Sequence, residues 1–306
     1  MVLNRNFDTS MFVCDYSSPT PTNLGTLSVA LLRRVAYFES YFNLNRMKRR
    51  DFIQSTAMTM AMPLVAATEA NDLTAEDKKR KLLAFGSGNF NTFLKPILTF
   101  IKKDNPKIAL LPTATGDNPS SIVGWYAACE ELPVKPYVIK TYISSYNTKK
   151  SFEDQIMSMD AIFVGGGNTL NMLAIWKAQG IDVLLRKAYE NGTLMTGGSA
   201  GSLCWFLSGT TDSRPIELSK VDCMGWIKTS HCPHFDGEEF RRPLYHDLIK
   251  KGELPAGYAC DNQAGLYFEN EQLVKSVAMN EKAKSYFVEL KDGQIKETVI
   301  PTEVLK

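Results

Sequence analysis

Five residues, Gly197-Gly198-Ser199-Ala200-Gly201, stand between the apolar run Thr193-Leu194-Met195-Thr196 and the segment Ser202-Leu203-Cys204-Trp205-Phe206. That order predicts a strand, a sharp turn with a serine at its apex, and a helix. It is the G-x-S-x-G form of a nucleophile elbow. Glycines flank the serine because such a turn is strained and leaves little room for side chains. A serine so placed holds its hydroxyl above the end of a sheet, where the positive N-terminal end of the next helix faces it.

The surrounding pattern supplies the sheet. Leu82 to Phe85, Ile108 to Leu111, Tyr137 to Ile139, Ala161 to Val164 and Thr193 to Thr196 read as strands. Thr92 to Lys103, Ser121 to Leu132, Phe152 to Met159, Leu170 to Gln179 and Val183 to Glu190 carry helical spacing. Strands alternating with helices predict an α/β fold with a doubly wound, mostly parallel sheet. Past Gly252 the runs shorten, and Asp292-Gly293 reads as a hairpin turn, which predicts an antiparallel extension of the same domain. A second glycine-rich turn, Gly165-Gly166-Gly167-Asn168-Thr169, follows the fourth strand. Ligands of open α/β sheets bind beyond the carboxyl ends of the strands, so both turns are expected to face one crevice.

A serine hydroxyl needs a base within hydrogen-bond reach. The chain has three histidines, His231, His234 and His246, all downstream of the elbow. His231-Cys232-Pro233-His234-Phe235 reads as a turn and His246 as part of a helical run from Glu238 to Lys250. The base is therefore His234 or His231. An acid to orient it is available in Asp212, Asp261 or Asp236. The amides of Ala200 and of Gly166 or Gly167 are candidate oxyanion donors. HxxH on a proline-broken turn lacks the helical spacing of a zinc site, so no metal and no cofactor is expected.

Composition narrows the class. A formal net charge of +2 in 306 residues gives no electrostatic reason to expect nucleic acid, and no apolar run approaches a membrane span. The six cysteines form no CxxC pair, and Cys232 and Cys260 are the candidates for a disulfide if the protein is exported. Met47-Lys48-Arg49-Arg50-Asp51-Phe52, then the apolar stretch 57–67 and the small residues Ala66, Ala67 and Ala70, resemble a twin-arginine export signal. The expected organisation is a leader over 1–78 and one α/β domain over 79–306, with periplasmic or exported location as the first expectation and a cytoplasmic one as the alternative.

Phe163-Val164-Gly165-Gly166-Gly167-Asn168-Thr169, Gly198-Ser199-Ala200-Gly201 and Pro233-His234-Phe235 together resemble the peptidase E (aspartyl dipeptidase) and cyanophycinase family of serine peptidases, in that family's order. The resemblance covers roughly residues 81–300 and implies a flavodoxin-like, glutamine-amidotransferase-like fold. It implies Ser199 as nucleophile, His234 as base, and Gly167 and Ala200 as oxyanion donors. The acid carries over to Asp212 only with a shift of one residue. Asn168, Thr169, Glu238 and Arg241 are the candidate substrate contacts, Arg241 for an aspartyl carboxylate and Glu238 for a free amine. The implied substrate is a small peptide with N-terminal aspartate, and a homodimer is compatible with the sequence. A cyanophycinase-like hydrolase and a non-catalytic small-anion binder of the same fold are the alternatives.

Overall fold

The computed structural model describes residues 79–142 and 149–305. The expected leader and its export signal lie outside the described residues. Strand β1 (Lys81–Phe85) shows why the apolar runs are continuous. Its Leu82 and Ala84 enter one buried cluster while Leu83 and Phe85 enter another, so both faces of the sheet are covered. Strands β2 (Lys107–Leu111) and β4 (Ala161–Val164) divide in the same way. On one face, helices α1 (Phe90–Ile101) and α2 (Pro119–Cys129) bring Phe93, Ile97 and Trp125 onto the sheet. Phe93 stacks on Phe85 with ring centres 3.8 Å apart.

The remaining elements follow in chain order. They are β3 (Lys135–Val138), α3 (Phe152–Met157), α4 (Thr169–Gln179), α5 (Ile181–Glu190), β5 (Leu194–Gly198) and α6 (Ala200–Leu203). Next come β6 (Phe206–Thr211), β7 (Ser219–Asp222), β8 (Ile227–Cys232), α7 (Arg241–Lys250) and β9 (Gly257–Cys260). The chain closes with β10 (Ala264–Glu269), β11 (Gln272–Ala278), β12 (Ser285–Lys291), β13 (Gln294–Ile300) and β14 (Thr302–Val304).

The first sheet has the order β14-β11-β10-β1-β5-β4-β2-β3. Its strands β1, β5, β4, β2 and β3 are parallel, and β10 adds antiparallel to β1. This is the expected α/β, flavodoxin-like arrangement. The predicted antiparallel extension is only partly an extension. Strands β10, β11 and β14 widen the first sheet, whereas β12 and β13 join a second one, ordered β13-β12-β9-β8-β6-β7. Phe206, Trp226, Ile227 and Cys260 from this second set share a buried cluster with the first sheet's Leu82, Val164 and Met195. The helix after the elbow is a single turn, because α6 ends at Leu203 and the chain re-enters a sheet at Phe206.

Two further expectations are corrected here. His231 and Cys232 lie in β8 and not in a turn, and the turn begins at Pro233. Cys232 faces Ala259 in register across β8 and β9, which sends Cys260 to the opposite face. The two thiols occupy separate buried clusters and both are free. Among the described residues no helix is long and apolar enough to cross a membrane.

Candidate active site

Three parallel neighbours, β1, β5 and β4, end together, and their carboxyl ends build the crevice floor. Strand β5 stops at Gly198, and Ser199 follows with φ 56° and ψ −120°. This positive φ is strained for any residue but glycine, at about 1–3 kcal/mol, and persists only where the surroundings hold it. They do so closely. A Cβ on Gly198 would lie 1.4 Å from the Ser87 carbonyl oxygen, so only glycine lets the loop after β1 rest against the elbow.

The end of β1 anchors Ser199 and His234 by their backbones. Ser199 N–H donates to the Phe85 carbonyl and His234 N–H to the Gly86 carbonyl, at 3.3 and 3.1 Å. Ser199 Oγ and His234 Nε2 are thereby 2.8 Å apart. His234 Nδ1 meets Asn262 Oδ1 at 2.6 Å. A carbonyl oxygen only accepts, so Nδ1 carries the proton and Nε2 presents a lone pair to the serine hydroxyl. The turn around His234 also grips Asn262. Asp236 Oδ1 accepts from Asn262 N–H at 2.8 Å, and a Cβ on Gly237 would fall 2.0 Å from Asn262 Nδ2. Glycine at 237 leaves space for that amide.

The glycine turn after β4 stands beside the serine. A Cβ on Gly166 would lie 3.2 Å from Ser199 Cβ, whereas Gly167, at φ 132°, faces the Ala114 carbonyl. Among the described residues the N–H groups of Gly166, Gly167 and Ala200 have no backbone acceptor, while Gly165 and Asn168 donate to Leu111 and Ala114. Free amides beside a hydroxyl in line with an imidazole can receive charge developing on a carbonyl oxygen.

This geometry coincides with what comparison finds. The sequence model of peptidase family S51 matches residues 82–276. The chain belongs to peptidase family S51. It is 39% identical over 234 residues to the uncharacterized peptidase YgaJ of Bacillus subtilis (strain 168), covering 74% of this chain and 99% of that one. A second relative, the uncharacterized peptidase Lmo0363 of Listeria monocytogenes serovar 1/2a, is 22% identical over 121 residues, 38% of this chain and 59% of its own. Two solved structures share the fold. One, a Listeria monocytogenes EGD-e protein assigned provisionally to peptidase E, aligns with TM-score 0.52 at 17% identity over 66% of this chain and 100% of its own. The other, a peptidase from an acI-B1 Actinobacterium, aligns with TM-score 0.57 at 15% identity over 74% and 96%. As a member of S51, the chain is a serine peptidase.

The S51 site differs from the sequence expectation chiefly in its third member. All three candidate acids have other partners. Asp212 is 65% exposed, and its nearest cation is Arg241, at 4.0 Å. Asp236 holds the Asn262 backbone, and Asp261 Oδ2 accepts from Lys284 N–H at 2.8 Å. The imidazole partner is Asn262, at the turn that follows β9, the strand beside β8. Arg241 and Glu238 are also corrected as substrate contacts. Arg241 is 2% exposed, donates to Glu238 Oε2 through Nε and Nη2 at 2.9 and 2.7 Å, and gives Nη1 to the Thr210 carbonyl. Asn168 spends its side chain capping α4 at Asn171 N–H and donating to the Ser213 carbonyl. Thr169 is buried and meets Thr211. His246, on α7, pairs with Glu297 of β13.

His231 is not the base. It is fully buried, its ring lies 4.3 Å from and nearly parallel to Phe206, and its nitrogens meet Ser202 and Tyr258. Burial drives its pKa from 6.5 down to about 3. The unfolded chain therefore takes up a proton that the folded one refuses, and this stability, full above pH 6.5, is lost as pH falls toward 3. Asp261 works in the opposite direction. Burial raises it from 3.8 to about 6, with Asp236 adding to the rise and the Lys284 amide, Arg242 and Lys284 opposing it. Its contribution is full below 3.8 and lost as pH rises through 6. Between pH 6 and 4 the two offset. Asp261→Asn exposes the histidine branch, so acidification across that interval costs the variant about 2–3 kcal/mol more stability than it costs the wild type. Urea melts of both proteins at pH 4 and 6 measure this, and parallel losses would show that Asp261 titrates as an ordinary carboxyl.

Proposed function

We propose that this S51 peptidase hydrolyses short peptides, dipeptides with N-terminal aspartate first among them, through an acyl-enzyme on Ser199. The observation that carries the reading is the continuous line Ser199 Oγ, His234 Nε2, Asn262 Oδ1, at 2.8 and 2.6 Å. His234 accepts the hydroxyl proton as Oγ bonds to the scissile carbonyl carbon. The oxygen of that carbonyl gains the negative charge and is received by the N–H groups of Ala200 and the Gly166-Gly167 turn. The imidazolium, steadied through Nδ1–H by the Asn262 amide, gives its proton to the leaving amine as the C–N bond breaks. Water then attacks the ester as His234 takes its proton, and His234 returns that proton to Oγ as the ester C–O bond breaks, which frees the acid product and restores the serine. A neutral orienter in place of an acid has a precedent in the Cys-His-Asn arrangement of papain-like proteases.

The preference for aspartate rests on the resemblance to peptidase E, and Arg241 is not free to serve it. Arg214 is the better reader of a substrate carboxylate. Its Nη1 is anchored on Ser219 Oγ and the Lys220 carbonyl at 3.0 Å each. The preceding residue, Ser213, bonds Asn168 and Leu170 at the end of the glycine turn. The loop that carries Arg214 is thus fastened to the oxyanion side of the crevice. Bidentate pairing with a carboxylate suits the remaining guanidinium edge. Hydrolysis of aspartyl-anilide beside a panel of other aminoacyl-anilides tests the reading. Arg214→Met is expected to raise KM for the aspartyl substrate alone, by about 10-fold or more for a lost charge-assisted contact. Equal turnover across the panel would discard the aspartate preference and keep the mechanism. Cleavage of an aspartate–arginine polymer without any anilide turnover would move the substrate to the cyanophycin class.

A further inference from the structure

Beneath the reacting pair lies a second serine–histidine pair with the same directionality. Ser202 Oγ is 3.0 Å from His231 Nε2, and His231 Nδ1 is 3.1 Å from the Tyr258 carbonyl oxygen. Ser202 and His231 are each 0% exposed. The Tyr258 carbonyl can only accept, so His231 carries its proton on Nδ1 and its Nε2 must be given a hydrogen bond. Ser202 is the group that meets it. The Ser202 hydroxyl also lies 2.9 Å from the Ser199 carbonyl oxygen. That oxygen already receives the N–H groups of Ser202 and Leu203, at 3.0 and 2.9 Å, which fills its two lone pairs. The hydroxyl proton therefore goes to His231, and a buried imidazole nitrogen is not left unpaired.

The inner pair is nested within the outer one along the chain, 29 residues apart against 35. Ser202 lies one helical turn after Ser199, and His231 lies three residues before His234. Each of the two serines of the elbow segment is thus matched to one histidine of a single strand and the turn after it. We infer that the Ser202–His231 pair is a cross-tie that sets the distance between nucleophile and base. On one side it holds the α6 turn, whose Ser202 N–H grips the carbonyl of strained Ser199. On the other it holds β8, whose end leads through Pro233 to His234. The Phe206 ring stacked on His231 and the Tyr258 carbonyl fix the imidazole from its other sides. Ser202 and His231 are positioning residues. Neither can touch substrate, since both are sealed from it.

The inference rests on Ser199 and His234 being the reacting pair, and the experiment separates the two claims. Ser202→Ala and His231→Asn each remove the tie, and His231→Asn keeps a donor for the Tyr258 carbonyl. Both are expected to lower kcat by about 10- to 100-fold, the effect of roughly an ångström of misplacement, with KM within about twofold. The rate of Ser199 labelling by a fluorophosphonate is expected to fall in step. His231→Gln, whose side-chain oxygen reaches where Nε2 lies, is expected to recover most of the loss and is the mildest of the three changes. Circular dichroism and melting temperature establish which variants are folded under assay. Unchanged kcat and labelling in folded Ser202→Ala or His231→Asn would overturn the cross-tie, as would a His231→Gln protein no better than His231→Asn. A change confined to melting temperature would also overturn it and leave a packing role. Turnover surviving in Ser199→Ala would instead overturn the functional reading beneath it.

Discussion

Ser199→Ala lowers peptide hydrolysis by on the order of 10⁴- to 10⁶-fold, and His234→Ala by nearly as much, because the two act as one device. Joining the substitutions costs little beyond either alone, since a hydroxyl without its base and a base without its hydroxyl are equally idle. The alanine fits the same elbow. Its strained φ is set by the Gly198 contact with Ser87 and by the bond to Phe85, neither of which involves the serine side chain. The folded protein is therefore expected to survive, with an unchanged circular dichroism spectrum. Intact-mass analysis after treatment with a fluorophosphonate should show one adduct on the wild type and none on either variant. An adduct elsewhere, or turnover persisting in Ser199→Ala, would sink the acyl-enzyme mechanism. A wild type that resists labelling and cleaves nothing would favour the fold as a non-catalytic binder of small anions.

The next largest effect is expected at Asn262. Asn262→Ala leaves the His234 ring free to turn and removes the group that keeps Nε2 unprotonated, at a cost on the order of 10²-fold in kcat. Asn262→Asp is more informative. A carboxylate beside the imidazole favours its charged form and raises its pKa. The base works when neutral, so the acid limb of the kcat/KM profile moves to higher pH, while activity on the alkaline side is retained. Asp212→Ala, by contrast, removes an exposed carboxylate 4.0 Å from Arg241. Such a pair is worth little, so activity is expected to stay within about threefold of wild type. The opposite ranking, with Asp212 more costly than Asn262, would mean that the triad closes differently in the working enzyme.

These two residues show where the sequence was legible and where it was not. The five parallel strands could be read because a strand covered on both faces is apolar at every position, as in Leu82 to Phe85 and Ala161 to Val164. Ser199 is legible because the elbow's strain demands flanking glycines, whereas the local pattern leaves His231 and His234 both open as its base and the family resemblance alone implies His234. Asn262 has no such mark. It depends on β9 lying beside β8, and strand order in the second sheet cannot be read from a run as short as Gly257 to Cys260. An orienting group expected among aspartates also leaves out the amide that meets His234 Nδ1. Arg241 misled for a related reason. Its partner Glu238 is three residues away on the approach to one helix, so the charges satisfy one another before any substrate arrives.

The division of the site between two sheets bears on when activity can arise during folding. Ser199 leaves the first sheet, while His234 and Asn262 leave strands β8 and β9 of the second; His234 is 35 residues from the serine, and Asn262 lies 28 beyond His234. No early, local fragment of the chain can hold all three, because contacts at such separations form only once the long-range strand pairs have closed. Turnover should therefore be the last signal to recover in refolding, after helical circular dichroism and after burial of Trp176 and Trp205. A nascent or partly unfolded copy is then expected to be inactive until both sheets have closed.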